Sequence, residues 1–356
     1  MSGEMREPVD RRADDTESLD IDSKGSTKPF TYTAHVSITI NRENIRTHKS
    51  VTNNAITKII WRAGKLDASV LSRFPNLQVL HASSNKLMTL AGLEGCPQLL
   101  ELNCAGNRLT DLAGLEYCPQ LLVLNCMGNR LTHLDSLPSS LLELDCTGNL
   151  IESLGLACAK LEHLNCSNNP LLSLEGLDCP QLLRLYCNRC QLVSLTGLGG
   201  CIRLRRLNCS RNQLASLSGV EGCEQLRYLV CDYNRLARLT GISACTKLKH
   251  LVCSNNILES IAGIESCVQL VELNCIRNLL ISIKEIQFCV RLRSLYCSRN
   301  QLASLTGIDS CIDLEYLSCC MNRLSSLRSL ARLPVLHTIH YSKNPIETNR
   351  LRIDDN

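Results

Sequence analysis

Asparagine returns along this chain at almost fixed steps, and that period constrains the fold more than any other feature. Residues 207 to 226 read LNCSRNQLASLSGVEGCEQL, and residues 295 to 314 read LYCSRNQLASLTGIDSCIDL. The marker falls at Asn85, Asn107, Asn129, Asn149 and Asn169, is replaced by Cys190, and resumes at Asn212, Asn234, Asn256, Asn278, Asn300, Asn322 and Asn344. The steps are 22, 22, 20, 20 and 21, then 22 seven times. Thirteen units result, each reading L-x-x-L-x-C-x-x-N-x-L-x-x-L-x-G-L-x-x-C-x-x. Such a period marks a stacked architecture, in which each unit buries its apolar face only against its neighbours. An atypical unit precedes them, with Ile56, Ile59, Trp61, Gly64 and Leu66 on the same pattern. Trp takes the Cys place there and Gly the Asn place, as befits a capping unit.

The L-x-x-L-x-C segment alternates, which predicts a short strand. Parallel stacking at about 4.8 Å per strand makes thirteen units a rod on the order of 60 Å long. Leu102, Cys104, Asn107, Leu109 and Leu112 of one unit are expected to face inward. The Asn amide is expected to bond backbone groups of its own loop and of the next unit, since buried backbone must be paired. Gly92, Gly114, Gly176, Gly197, Gly219, Gly241, Gly263 and Gly307 recur seven residues after the marker. A fixed Gly predicts a backbone conformation that a side chain would strain. The GLxxCxxL side predicts turns or brief 3₁₀ helix.

Over about residues 56–346 this pattern resembles the leucine-rich repeat family, in the short 22-residue class of protein phosphatase 1 regulatory subunits and bacterial internalins. Its Cys-for-Leu variant is also similar to repeat proteins of large DNA viruses of amoebae. The resemblance implies an α/β repeat solenoid, a curved rod with a parallel concave sheet and a short 3₁₀ or turn convex side. It also implies a protein–protein interaction scaffold that binds a protein partner on the concave face. Two rivals stand beside that reading: a structural component of a larger assembly or virus particle, and a nucleic-acid binder using an Arg-rich rim.

Of the 23 cysteines, eleven occupy the strand site (Cys104 through Cys319) and ten the convex site (Cys96 through Cys311). Other units carry Ala82, Phe74 or Leu333 at these places, so Cys acts as a small buried hydrophobe. A disulfide ladder is disfavoured, because stacked strands carry their Cβ vectors side by side. Cys190 and Cys320 lie outside both ladders, Cys320 on the concave face. Cys187-x-x-Cys190 could hold zinc only with two further ligands, and no second C-x-x-C supplies them, so neither metal nor cofactor is expected.

The residues between the inward positions should line the concave face. One column holds Tyr186, Val230, Val252 and Tyr296, and the column two before it holds Tyr228, His250 and Tyr316. Tyr228, Val230, Tyr233, His250 and Val252, with Tyr186 two units away, combine apolar and aromatic groups of the kind enriched at interface anchors. Tyr296 and Tyr316 form a second candidate pair. Arg108, Arg130, Arg189, Arg211, Arg235, Arg277, Arg299, Arg323 and Lys343 should line one rim beside the Asn ladder. A net charge of +4 is too weak a bias to mark a nucleic-acid protein, and the aromatics are local rather than interleaved along the rim.

Residues 1–29 are charged and poor in large apolar side chains, which predicts a disordered tail. Residues 30–55 are expected to supply a capping strand, FTYTAHVSITI, over the N-terminal edge, and 347–356 to form a short tail. The start carries no secretory pattern and no eighteen-residue apolar window exists, so a reducing, cytoplasmic setting with no membrane span is expected, a virion or an infected host cell included. There is no P-loop, no G-x-S-x-G and no metal motif, so the reading is not an enzyme.

Overall fold

The computed structural model describes residues 37–42 and 53–346. The expected tails at 1–29 and 347–356 lie outside these residues, as do 30–36 and 43–52 of the N-terminal segment. Fifteen strands form one sheet, every strand parallel and each paired with its sequence neighbours. The first two, β1 (Ser37–Asn41) and β2 (Lys58–Arg62), have five residues each. Thirteen three-residue strands follow, from β3 (Val79–His81) to β15 (Thr338–His340). They correspond one to one with the thirteen sequence units. One short helix, α1 (Ala68–Leu71), is capped by Asp67, whose carboxylate accepts from Ser69 N at 3.0 Å.

The alternation works as the pattern requires. In β4 (Glu101–Asn103) Leu102 is buried while its flanking residues are half-buried on the open face. Leucines, isoleucines and cysteines of all units merge into one continuous core. Trp61 is buried in the cap unit and donates from Nε1 to Gly64 O at 3.0 Å. The two ends differ. At the N-terminal end Ile40 of β1 is 0% exposed, whereas at the other end Ile339 of β15 is 37% exposed.

The Asn ladder is buried and bonds backwards along the chain. Asn256 Nδ2 donates to Cys253 O and Ser254 O of its own unit and to Cys231 O of the preceding one, each at 3.1 Å. Its Oδ1 accepts from Leu236 N at 3.0 Å, again in the preceding unit. The expected partner in the next unit is therefore corrected: the strand ends before Asn, so the side chain folds back under the loop already laid down. At Cys190 the thiol reaches Cys166 O at 3.5 Å, but it offers no oxygen for Leu171 N, the place that receives Leu109, Leu131 and Ile151 elsewhere.

The recurrent glycines all take positive φ, between 81° and 115°. Gly197 shows why: a Cβ there would lie 2.0 Å from Leu174 O. Six of the units so marked continue into three-residue 3₁₀ turns, as at Leu93–Gly95 and Ile264–Ser266. In the shortened units the convex side changes, and Leu156 bridges Leu177 in parallel instead.

All 23 cysteines are free thiols, and all but Cys320 are buried. They are more than small hydrophobes. Both the backbone N–H and the thiol of Cys104 point at Asn125 O of the following unit, at 2.8 and 3.4 Å. Cys146, Cys231 and Cys275 repeat the thiol contact at 3.4 Å. The strand column thus adds a weak S–H donor between units. Burial pushes Cys104, Cys209 and Cys275 up to about 12.

Candidate functional site

Strand pairing decides which variable residues meet. The register places Tyr228 of β10 (Tyr228–Val230) opposite His250 of β11 (His250–Val252), and Val230 opposite Val252. The two rings stack at 4.5 Å between centroids with 6° between planes. On the other side of Tyr228, the guanidinium of Arg206, in β9 (Arg206–Asn208), lies 4.2 Å from the ring centre. His250 Nδ1 is 3.1 Å from Glu272 Oε2 of β12 (Glu272–Asn274). A four-residue stack therefore runs Arg206, Tyr228, His250, Glu272 across four successive units.

The stack fixes the two rings against each other. An aromatic pair of this kind contributes about 0.5–1.5 kcal/mol and an exposed cation–π contact about 0.5–1 kcal/mol. The half-exposed His250–Glu272 pair adds at most about 1 kcal/mol, because water screens it. Val230 and Val252 lie beside the rings and are half-buried, flanked by Asn208 and Asn274. The five-residue apolar and aromatic block is thus partly assembled as expected. Tyr233 stands at the edge, 39% exposed, with a left-handed backbone. The sequence places Arg235 beside it, two residues on, but the cation on its ring is Arg211 of the preceding unit, 4.2 Å from the ring centre. Tyr186, in β8 (Arg184–Tyr186), pairs with Asn208, so a polar residue separates it from Val230.

The second pair also meets, diagonally. Tyr296 of β13 (Ser294–Tyr296) and Tyr316 of β14 (Tyr316–Ser318) have centroids 4.9 Å apart. His340 packs on Tyr316 at 5.6 Å. Burial is the main cause that raises both tyrosine pKa values; Glu272 adds to it for Tyr296, and Cys320 for Tyr316.

Arg206, Glu272 and His340 complete these clusters and did not stand out in the sequence, whereas Arg211 stood out only as part of the basic rim. Arg206 and Glu272 occupy the same column as Tyr228 and His250, so a column-by-column reading carries their signal. The basic rim is corrected into two files. Arg189, Arg211, Arg277, Arg299 and Lys343 precede the Asn position with positive φ, while Arg108, Arg130, Arg235 and Arg323 follow it. The inward Asn separates them, so the files flank the ladder on its two sides.

Among the described residues no group of three or more His, Cys, Asp or Glu is placed to hold a metal ion. His337 and His340, three apart, stand in the last unit, remote from Cys187 and Cys190. Among the same residues no helix is long and apolar enough to cross a membrane.

A family model described as leucine-rich repeats in two copies matches residues 75–117. Among curated proteins none matches the chain. A leucine-rich-repeat protein of Leptospira interrogans is similar in structure, with 20% identity, a TM-score of 0.75 and coverage of 88% of this chain and 95% of that one. The functional domain of InlJ from Listeria monocytogenes, which includes a cysteine ladder, is 29% identical with a TM-score of 0.62, covering 79% of this chain and 66% of that one. A plant peptide hormone receptor, RGFR1, in complex with RGF2, is 20% identical with a TM-score of 0.59, covering 82% and 56%.

Proposed function

We propose that this leucine-rich-repeat solenoid of short units is a binding scaffold that holds a protein partner against its sheet face, centred on Tyr228, Val230, His250 and Val252. One observation carries the reading: two rings stacked at 4.5 Å beside two paired valines, half-buried on a face that no other part of the described chain covers. Buried aromatic anchors with a polar surround are the usual centre of an interface. The plant receptor found in complex with RGF2 supports a polypeptide ligand on this fold. The buried thiols support a reducing, intracellular setting.

The test begins with affinity capture by the intact chain and identification of the captured protein. Its affinity is then measured for the wild type and for Tyr228→Ala with His250→Ala. The double variant should bind at least about 30-fold more weakly, or about 2 kcal/mol, and should still unfold cooperatively with a thermal midpoint only a few degrees lower, since it loses the contacts of the stack but none of the core. Equal affinity would move the centre of recognition to Tyr296 and Tyr316.

A further inference from the structure

The face proposed above carries a charge signature that its apolar centre does not explain. Between residues 181 and 250 the chain holds eleven Lys or Arg against three Asp or Glu, a balance of +8 where the whole chain has +4. The remainder is therefore net negative, and the basic character is concentrated around the Tyr228 block. The sheet arranges these cations in columns. Arg184 and Arg206 lie opposite each other on adjacent strands. Just ahead of the strands, Arg227 N donates to Arg205 O and Lys249 N to Arg227 O, each at 2.9 Å. Arg205, Arg227 and Lys249 thus stand in a row on successive units, about 4.8 Å per step.

None of these three has a carboxylate within ion-pair distance among the described residues. Arg293, two units further along the same column, does pair, with Glu315 at 3.7 Å. The outer column contrasts too: Gln181, Arg203, Gln225 and Lys247 alternate, Arg203 donating to Gln181 and Lys247 to Gln225. There a neutral amide separates each cation from the next. Like charges directly opposite on adjacent strands cost stability. In the Arg205 row the chain keeps that cost.

We infer that this row, with Arg184 and Arg206 beside it, is the docking surface for an acidic segment of the partner protein; the inference rests on the concave-face reading above. Single-stranded nucleic acid fits worse. Base recognition without sequence reading needs open ring faces, and Tyr228 has both faces covered, by Arg206 and by His250.

The test uses the full chain and a fluorescein-labelled octaglutamate peptide, with an oligothymidylate of equal length as competitor, followed by anisotropy. The peptide should bind, and its Kd should weaken at least tenfold between about 50 and about 200 mM salt. Arg227→Glu should weaken it at least fivefold without lowering the thermal midpoint, because a carboxylate between two cations relieves repulsion. Arg323→Glu, outside the basic segment, should change it less than twofold. No binding by the wild type, equal loss in the two variants, or displacement of the peptide by oligothymidylate at lower concentration than by unlabelled octaglutamate would each overturn the inference. Each of these leaves the Tyr228 and His250 result standing, so the two proposals fail separately.

Discussion

Raising the pH should unfold this protein abruptly, because its core is built from acids that burial keeps protonated. Ten thiols, among them Cys104, Cys209 and Cys275, are pushed from an ordinary 9.0 up to about 12, mainly by burial. The unfolded chain releases these protons near 9.0 and the folded chain near 12. At about pH 8 and below both states hold nearly every proton, and stability is fully present. Between about 9 and 12 the unfolded state binds fewer protons, so stability falls as pH rises. At about pH 10 each thiol costs about 1.4 kcal/mol, a figure fixed by the unfolded pKa while the folded one stays well above it. Ten together lose about 14 kcal/mol, against domain stabilities of about 5–15 kcal/mol. Urea unfolding under reductant, followed by far-ultraviolet circular dichroism in unit steps from about pH 7 to about pH 10, reads this directly. The midpoint should hold to about pH 8, fall clearly by about pH 9, where the half-ionised unfolded thiols already cost about 0.4 kcal/mol each, and collapse by about pH 10. A midpoint at about pH 10 equal to that at about pH 7 would refute the reasoning, since the thiols would then ionise as readily folded as unfolded.

Two further substitutions test the backbone argument. Cys190→Asn restores an acceptor for Leu171 N and a full donor to Cys166 O, so it should stabilise by about 1–3 kcal/mol, while Asn256→Ala should cost about as much; urea midpoints of equal sign for the pair would contradict the ladder. Gly197→Ala, whose Cβ would meet Leu174 O at 2.0 Å with φ near 110°, should destabilise by about 3 kcal/mol or more, whereas Gly200→Ala, with nothing within 4 Å, should stay neutral or gain about 0.4–1 kcal/mol. Thermal midpoints of the two variants within a degree of each other would show that space and φ at Gly197 do not matter.

The fold was legible because a 22-residue period fixes register: once Leu102, Leu124 and Leu144 share a column, every variable residue between them has a known neighbour. That is why Tyr228 and His250 could be placed side by side before their rings were seen to stack. Three things were not legible. The Asn ladder's direction depends on where the side chain folds relative to its own loop, and spacing is the same either way. The partner of Tyr233 depends on which long Arg side chain reaches its ring: Arg211 holds the same register position one unit earlier, whereas Arg235 lies two residues on in its own unit, across the inward Asn234, and the repeat does not encode the rotamer that decides between them. The thiol contacts depend on a rotamer, which composition does not encode.

The backward direction of the Asn bonds has a consequence for how the rod is made. Leu236 N is received by Asn256, and Leu258 N by Asn278, so each loop is closed by the unit that comes after it. A chain emerging from the ribosome therefore carries, at every length, one turn whose amide still waits for its receiver. Completion of a turn is always the work of its successor, and assembly has an inherent arrow from the sealed layer at Ile40 toward the open one at Ile339. Cutting the rod anywhere leaves the N-terminal piece with a last-turn amide that has lost its receiver, and the C-terminal piece with a first Asn that keeps the bonds of its own unit but has lost those to the preceding one, so the two fragments of a single cut are physically unequal.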